Sequence, residues 1–403
     1  MRAKIYYSIE DNFPAYRVDI TELFGIELAR MGMGVEWYMR RAEAGACAAE
    51  NLGEQTVHLP FFVAGKGILW KAVNRLSFWW CDVWHLLRCH GRSIDLIQVR
   101  DKYVAALAGL LVARTKGVPF VYWCSYPFPE HYLELARNST GLRRLYCGLH
   151  GRMGKLILYR FVMPRSDHVF VQSKQMKRDI AAFGVSEKKM TCVPMGVPAK
   201  IFGVRQAESR SVDVGKIVYI GTLAAVRRMH VLIEAFAEVH ARFPDARLVI
   251  VGDGDHPQER TSLEELTQRL ALENAVQFTG FLPIEQAWEI AALAQCCVSP
   301  FYPTPVLNSA SPTKLVEYMA LGRPVVCNDH PEQSQIIKES GAGLCVPWGA
   351  KEFAEAMAWM LEHPEEAGAM GAKGPAWVAE HRTYPKIAAH VWGVYEDLLQ
   401  GRS

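Results

Sequence analysis

The chain has 403 residues, half of them apolar and 22 % charged, a length and balance that predict two globular domains. A net charge of +3 gives no ground for a nucleic-acid partner, and no apolar run is long enough to span a bilayer. Ten cysteines without a CxxC pair, and an N-terminus MRAKIYYSIEDN that is acidic where a signal peptide would be apolar, predict a cytoplasmic protein with reduced thiols.

In chain order, KIYYSI reads as a first strand, followed by a loop and an amphipathic helix closing at Gly32 and Gly34. VEWYMR, IDLIQV, VPFVYWC, HVFVQ and MTCVPM read as further short strands, rich in β-branched and aromatic residues, with helical segments between most of them. Strand alternating with helix predicts a parallel, doubly wound sheet, whose ligands bind beyond the carboxyl ends of the strands. Residues 12–16 and 125–131 and Ser173 follow such ends, which makes Tyr16, Ser125, Glu130, His131 and Ser173 candidates. No GxGxxG follows the first strand, which weighs against a dinucleotide dehydrogenase.

Two stretches of this half differ from a plain α/β pattern. Between 61 and 92, five Trp and Phe residues after Leu69 interleave with Lys71, Arg75, Arg88 and Arg92. Between 137 and 165 there are six Arg and one Lys and no acidic residue. Such a mixture suits an anionic membrane surface or a lipid-linked acceptor; the plainer alternative is a core flanked by a solvated basic face. Cys81, His85 and Cys89 share one helical face, but a single helix supplies no fourth zinc ligand, so packing is the better reading.

The polar, aperiodic run from 200 to 214 predicts an interdomain linker, set at 204–214. After it the strand and helix alternation restarts with KIVYIGT, ARLVIVGDG, VQFTG and CCVSP as strands, so a second doubly wound domain is expected, with a binding cleft between the two. GDGD at 252–255 offers paired carboxylates for a divalent metal, but directly after a strand it reads as a glycine turn. No metal is expected there. An amphipathic helix at 385–400 ends the chain.

The stretch 299–347 carries the chemistry. A Ser/Pro-rich turn feeds a short helix at 313–321, and unpaired N–H groups at such a helix start, with the positive end of the dipole, attract phosphate. Lys314 in the first turn opposes the dipole unless an anion lies nearby. Glu317, three residues on, lies on the same face and could accept bonds from sugar hydroxyls. Together they predict a nucleotide-diphosphate site.

The ordered motifs YIGTLAAVRRMHVLIEAF, LVIVGDGD, VQFTGFLP and KLVEYMALGRPVV resemble the C-terminal half of family 4 glycosyltransferases of GT-B fold, and SDHVFVQSKQMKRDI and VPMGV resemble the end of that family's N-terminal domain. The resemblance implies an N-domain at 1–203 that binds acceptor, a C-domain at 215–384 that binds nucleotide sugar, and a helix at 385–403 crossing back to the N-domain. It implies Gly221 as the strand-end glycine, with Thr222 where the family has arginine, and Arg227 in place of the phosphate-binding lysine. Phe278, Gly280 and Phe281 fall on the base-recognising segment, and Glu317 on the ribose-binding glutamate. Gly252, Ser309, Ser311, Pro312, Thr313, Lys314 and Leu315 complete the implied donor set.

Two further positions depart from the family. Ser309 replaces the first glutamate of its glutamate pair, and Ser125 an acceptor-side histidine. The implied activity is retaining transfer from a UDP- or GDP-sugar to a glycan or lipid-linked acceptor in exopolysaccharide, capsule or lipopolysaccharide synthesis, without cofactor or metal, in the cytoplasm at the inner face of the membrane. Arg227 and Lys314 would stabilise the leaving diphosphate, and Glu130 and His131 would contact the acceptor or handle its proton. The alternatives are a nucleotide-sugar epimerase of the same fold and, because of Ser309 and Ser125, a non-catalytic nucleotide-sugar-binding partner.

Overall fold

The computed structural model describes residues 3–15, 17–65, 67–88, 94–207 and 212–401. Its contacts divide the chain into two compact units, Met1–Pro194 with Tyr384–Ser403, and Met195–Thr383.

The first unit holds an eight-stranded sheet of β1 (Ala3–Phe13), β2 (Met33–Arg41), β3 (Ala48–Leu52), β4 (Gln55–Leu59), β5 (Leu96–Arg100), β6 (Phe120–Cys124), β7 (His168–Val171) and β8 (Met190–Cys192). The order is β3-β4-β2-β1-β5-β6-β7-β8, parallel except for the antiparallel β3/β4 pair. Alternation along β1 makes two cores: Ile5, Tyr7 and Ile9 face one layer, and Tyr6 the other. The β3/β4 hairpin carries no sequence signal of its own, because its AAENL strand is exposed at the sheet edge and lacks an apolar alternation.

The second unit is a six-stranded parallel sheet of β9 (Asp213–Ile220), β10 (Arg247–Val251), β11 (Val276–Gly280), β12 (Ala294–Ser299), β13 (Val325–Asn328) and β14 (Gly343–Val346), in the order β11-β10-β9-β12-β13-β14. Here Ile217 and Tyr219 pack on one face, and Val218 and Ile220 on the other. Both sheets therefore carry the doubly wound pattern expected from the strand and helix alternation.

The break between units falls at 194/195, ahead of the expected linker at 204–214. Residues 201–207 form a helix whose Ile201, Phe202 and Val204 join the second unit's core, and 208–211 lie outside the described residues. The helix Tyr384–Gln400 belongs to the first unit. It buries Tyr384, Ile387, Ala388, Val391, Trp392 and Tyr395 in the core that contains β1 and β2, and the Tyr395 hydroxyl donates to Gln98 Oε1 at 2.6 Å. Spaced 3-1-3-1-3, these positions form one helical stripe.

Among the described residues no helix is long and apolar enough to cross a membrane. Two helices of the first unit nevertheless turn apolar side chains outward. Ile68–Arg88 exposes Leu69, Leu76, Trp80, Trp84 and Leu87. Gly141–Lys155 exposes Leu142, Leu145, Leu149 and Met153 while burying Cys147, Gly148, Gly151 and Gly154. In the latter the small side must face inward: a Cβ on Gly151 would lie 2.8 Å from the Pro129 carbonyl oxygen. Of the three residues weighed as a zinc set, Cys89 lies outside the described residues. His85 packs its ring against Tyr38 and His58, and burial, with Cys47 beside it, pushes the Cys81 thiol up to about 11.

Candidate nucleotide-sugar site

Three strand ends meet over the carboxyl edge of the second sheet. Gly221, Gly252 and Gly280 follow or close β9, β10 and β11 with φ of 151°, 135° and 72°. The Gly221 N–H donates to the Val251 carbonyl at 2.9 Å, and that of Gly252 to the Gly280 carbonyl at 3.0 Å. A Cβ on Gly252 would lie 2.1 Å from the Gly221 oxygen, and one on Gly221 would lie 2.9 Å from Lys314 Nζ. Glycine is thus required for the backbones to crowd together here, at the edge where such sheets hold ligands.

The helix Thr313–Ala320 brings two charged groups to this edge. Its register is pinned by Tyr318, whose hydroxyl accepts the Ile220 N–H at 2.6 Å. Lys314 is only 8 % exposed, and its Nζ donates to the neutral Tyr219 hydroxyl at 3.0 Å, 4.2 Å above that ring and 5.3 Å from the Phe301 ring. Burial, then the charge of Arg227, holds its pKa well below the ordinary lysine value. Glu317, one turn on, accepts from Trp288 Nε1 at 3.2 Å, and burial pushes it up to about 7. An ammonium this buried beside a guanidinium is relieved when an anion docks against both.

Arg227 stands on the turn Ala225–Arg227. Its Nε donates to Thr222 Oγ1 at 2.7 Å, and its guanidinium lies 5.7 Å from the Phe301 ring. Arg228 takes the left-handed conformation and lies over Tyr302. Glu259 fastens the turn, accepting the Ala225 N–H at 2.7 Å while its other oxygen accepts the His256 N–H at the head of helix Pro257–Arg269. Arg227 is therefore presented by a braced loop.

The segment from Ser299 to Pro312 is clamped from below. Asn328 exchanges two bonds with the Phe301 backbone, at 2.7 and 2.9 Å. His330 accepts the Glu332 and Gln333 N–H groups at Nδ1, which places its proton on Nε2, aimed at the Leu307 carbonyl at 2.9 Å. Burial pushes His330 down to about 4, so this clamp stays neutral at physiological pH.

The remaining residues expected at a donor site divide into exposed and structural. Phe281 is 82 % exposed and Phe278 is half-buried with Arg260 over its ring, a surface on which a base could stack. Pro312 and Thr313 open the helix. Leu315 is fully buried, so it can offer a ligand only backbone. Ser309 Oγ donates to the Pro305 carbonyl at 3.1 Å. Ser311 Oγ donates to Glu332 at 2.9 Å and accepts the Met195 N–H, and Glu332 pairs in turn with Arg382. In the GDGD turn, Asp253 accepts the Gly254 N–H and pairs with Arg260 at 3.5 Å.

In the first unit the expected acceptor residues are spread over several small networks. Ser125 is buried, and both its N–H and its hydroxyl donate to Asp101, a residue at φ 58° after β5. Beneath them the buried Arg100 pairs with Asp19 at 2.9 Å and Asp101 at 3.5 Å. Burial raises the Asp101 carboxyl; burial would raise that of Asp19 as well, but Arg100 and Arg17 hold it below its usual range. Glu130 accepts from the Tyr159 hydroxyl at 2.8 Å and pairs with Lys155 at 3.2 Å, which ties its helix to its neighbours. His131 Nδ1 is 3.1 Å from the Tyr126 hydroxyl, and burial lowers its pKa. Ser173 caps the helix Lys174–Ala181 by accepting the Met176 N–H. Tyr16 lies outside the described residues.

Residues 215–363 match the family model "Glycosyl transferases group 1", and residues 22–196 the "Glycosyl transferase 4-like domain". The chain belongs to the group 1 glycosyltransferase family, of GT-B fold. Among relatives of this family, the alpha-D-kanosaminyltransferase of Streptomyces kanamyceticus is 27 % identical over 183 residues, 45 % of each chain, so that match spans about half of either protein. The D-inositol 3-phosphate glycosyltransferase of Corynebacterium urealyticum is 24 % identical over 92 % of this chain and 88 % of its own. Among solved structures, the sucrose-phosphate synthase of Thermosynechococcus elongatus superposes with TM-score 0.76 at 19 % identity, covering 99 % of this chain and 100 % of that one. Anabaena HepE in complex with UDP-glucose gives 0.69 at 16 % identity, over 98 % and 99 %. At these identities the structures attest the fold alone.

Proposed function

We propose that the protein is a retaining glycosyltransferase that moves a sugar from a UDP- or GDP-sugar to a glycan or lipid-linked acceptor, in the assembly of a bacterial surface polysaccharide. The observation that carries the reading is Lys314, a buried ammonium bonded to a neutral hydroxyl and facing Arg227 over the strand-end glycines. It supports a diphosphate site, with Glu317 for ribose hydroxyls and Phe278 to Phe281 for the base. UDP-glucose in the structurally similar HepE favours the same donor class.

In the transfer, the acceptor hydroxyl oxygen bonds to the anomeric carbon as the bond to the diphosphate oxygen breaks, with that electron pair leaving on the diphosphate. The departing phosphate takes the acceptor proton on the face where the new bond forms. Arg227 and Lys314 then stabilise charge that grows in the transition state, in a partly desolvated site where such contacts are worth most. Neither Ser309 nor Ser125 needs to act as a base, and no residue of the site requires a metal.

The outward apolar faces of helices Ile68–Arg88 and Gly141–Lys155, set among Arg75, Arg143, Arg144 and Arg152, support peripheral binding to an anionic membrane. Turnover with nucleotide sugars tests the proposal: transfer with retained anomeric configuration by proton NMR, reduced at least a hundredfold in Arg227→Ala and Lys314→Ala, is expected. A product of inverted configuration would overturn the retaining mechanism, and donor consumption without acceptor would favour the epimerase.

A further inference from the structure

Helix Ile68–Arg88 has a second face opposite its exposed Trp and Leu residues. Lys71, Asn74, Arg75, Phe78, Trp79 and Asp82 recur there at helical spacing and line a cavity of about 330 Å³. Glu10, Arg40, Asp101, Lys102, Tyr132 and His150 line it from the other elements of the same unit.

The charges of this cavity are sorted along its depth. On the floor they are compensated: Lys102 Nζ bonds both Asp82 oxygens at 3.0 Å and Ser8 Oγ at 2.9 Å, and Arg40 is paired with Glu10. At the mouth, among the described residues, neither Lys71 nor Arg75 has an acidic partner within 4 Å; Arg75 donates only to the Tyr146 hydroxyl, at 2.6 Å. Besides burial, the charge of Arg75 contributes to lowering the pKa of Arg40 and His150, so its field reaches inward. Carboxylates that still have lone pairs suit sugar hydroxyls, and the Phe78 and Trp79 rings suit a sugar face. Two uncompensated cations suit a phosphate, and the exposed Leu76, Trp79 and Trp80, which lead around the same helix from Arg75 to its apolar face, suit hydrocarbon.

We propose that this cavity receives a lipid-linked sugar phosphate as the acceptor. The sugar lies on the Glu10 and Asp82 floor, the phosphate at Lys71 and Arg75, and the lipid chain over Trp80, Trp84 and Leu76 of the same helix. The inference rests on the glycosyl-transfer reading, because only a transferase needs a second substrate here. It places the acceptor on residues other than Ser125, Glu130, His131 and Ser173.

Calorimetry on the full chain tests it with four probes: dodecyl glucosyl phosphate, glucose 1-phosphate, dodecyl glucoside and inorganic phosphate. The phosphodiester should bind at least tenfold more tightly than each of the others. Lys71→Ala/Arg75→Ala should cost about tenfold for the two glucose phosphates and leave dodecyl glucoside unchanged. Trp80→Ser/Trp84→Ser should weaken only the tailed probes. Equal binding of tailed and tailless phosphates would overturn the lipid link, and binding of inorganic phosphate as tight as that of glucose 1-phosphate would reduce the site to an anion site. Failure of every probe, or indifference to Lys71→Ala/Arg75→Ala, would overturn the whole proposal. All variants change exposed positions, and UDP and GDP titrations run alongside separate the two readings: loss of nucleotide binding with phosphodiester binding intact would strike the donor site and leave this one standing.

Discussion

Lys314 and Glu317 sit one turn apart on the same buried helix, and their environments push their pKa values toward each other, Lys314 down and Glu317 up to about 7. If ribose hydroxyls bind the Glu317 carboxylate, nucleotide affinity falls as pH drops below about 7, because the protonated carboxyl must first lose its proton. Lys314 acts in the other sense, since a diphosphate needs the ammonium, so affinity falls again when pH rises past the depressed lysine pKa. We expect a bell-shaped dependence of affinity on pH by calorimetry, with the acid limb abolished in Glu317→Gln; a flat profile from pH 6 to 8 would remove Glu317 from the site. Gly252→Ala makes a steric test of the same corner: with a Cβ 2.1 Å from the Gly221 oxygen at φ 135°, it should cost more than about 2 kcal/mol in urea unfolding. Gly368→Ala, in the helix Pro364–His381 with no left-handed φ and nothing within 4 Å of the added Cβ, should be neutral or stabilising by up to about 1 kcal/mol. The lysine and glutamate were legible from spacing alone, because a helix places residues three apart on one face. Tyr219, Trp288, Phe301 and His330 were not. Their contacts cross between elements, and nothing in a strand such as KIVYIGT says which hydroxyl will lie under a lysine 95 residues away.

At the scale of elements, the two inverted helices are the anomaly that water alone does not explain. Apolar area left in water forgoes about 25 cal/mol for each Å², and Trp80 and Leu142 are 67 % and 85 % exposed. Trp80→Ser/Trp84→Ser should leave the far-UV circular dichroism spectrum and cooperative unfolding in place while abolishing co-sedimentation with vesicles of 30 % phosphatidylglycerol. Binding that survives, or that ignores salt, would return both helices to ordinary surface. The mixture of basic and aromatic residues was visible in the sequence, but the direction of each face was not. Hydrophobic periodicity alone would have turned the Leu and Trp stripe inward, and only the glycines of Gly141–Lys155 reveal which side packs. The cavity behind Ile68–Arg88 was hidden for the same reason.

At the scale of the molecule, the two doubly wound parallel sheets follow from the alternation of strand and helix, whereas the strand order, the edge hairpin β3/β4 and the unit boundaries follow from pairing and side-chain burial that composition does not display. The polar run at 204–214 reads as a linker, yet Ile201, Phe202 and Val204 commit the chain to the second unit before it ends. The last helix was recognisable from its stripe and by resemblance to the fold. It buries six residues in the first unit, each worth about 1.5–3 kcal/mol when large and apolar, against a typical total stability of about 5–15 kcal/mol. A chain ending at Thr383 should thus lose cooperative folding of the first unit while the second still melts; an unchanged thermogram would contradict that assignment.

The most direct test of the account is a calorimetric titration of UDP, GDP and ADP into the full chain and into Arg227→Ala, Lys314→Ala and Glu317→Ala. The account predicts that one nucleotide family binds and that all three substitutions weaken it by tenfold or more. Wild-type binding that none of the three disturbs would place the donor elsewhere, and no binding at all would contradict the nucleotide-diphosphate site itself.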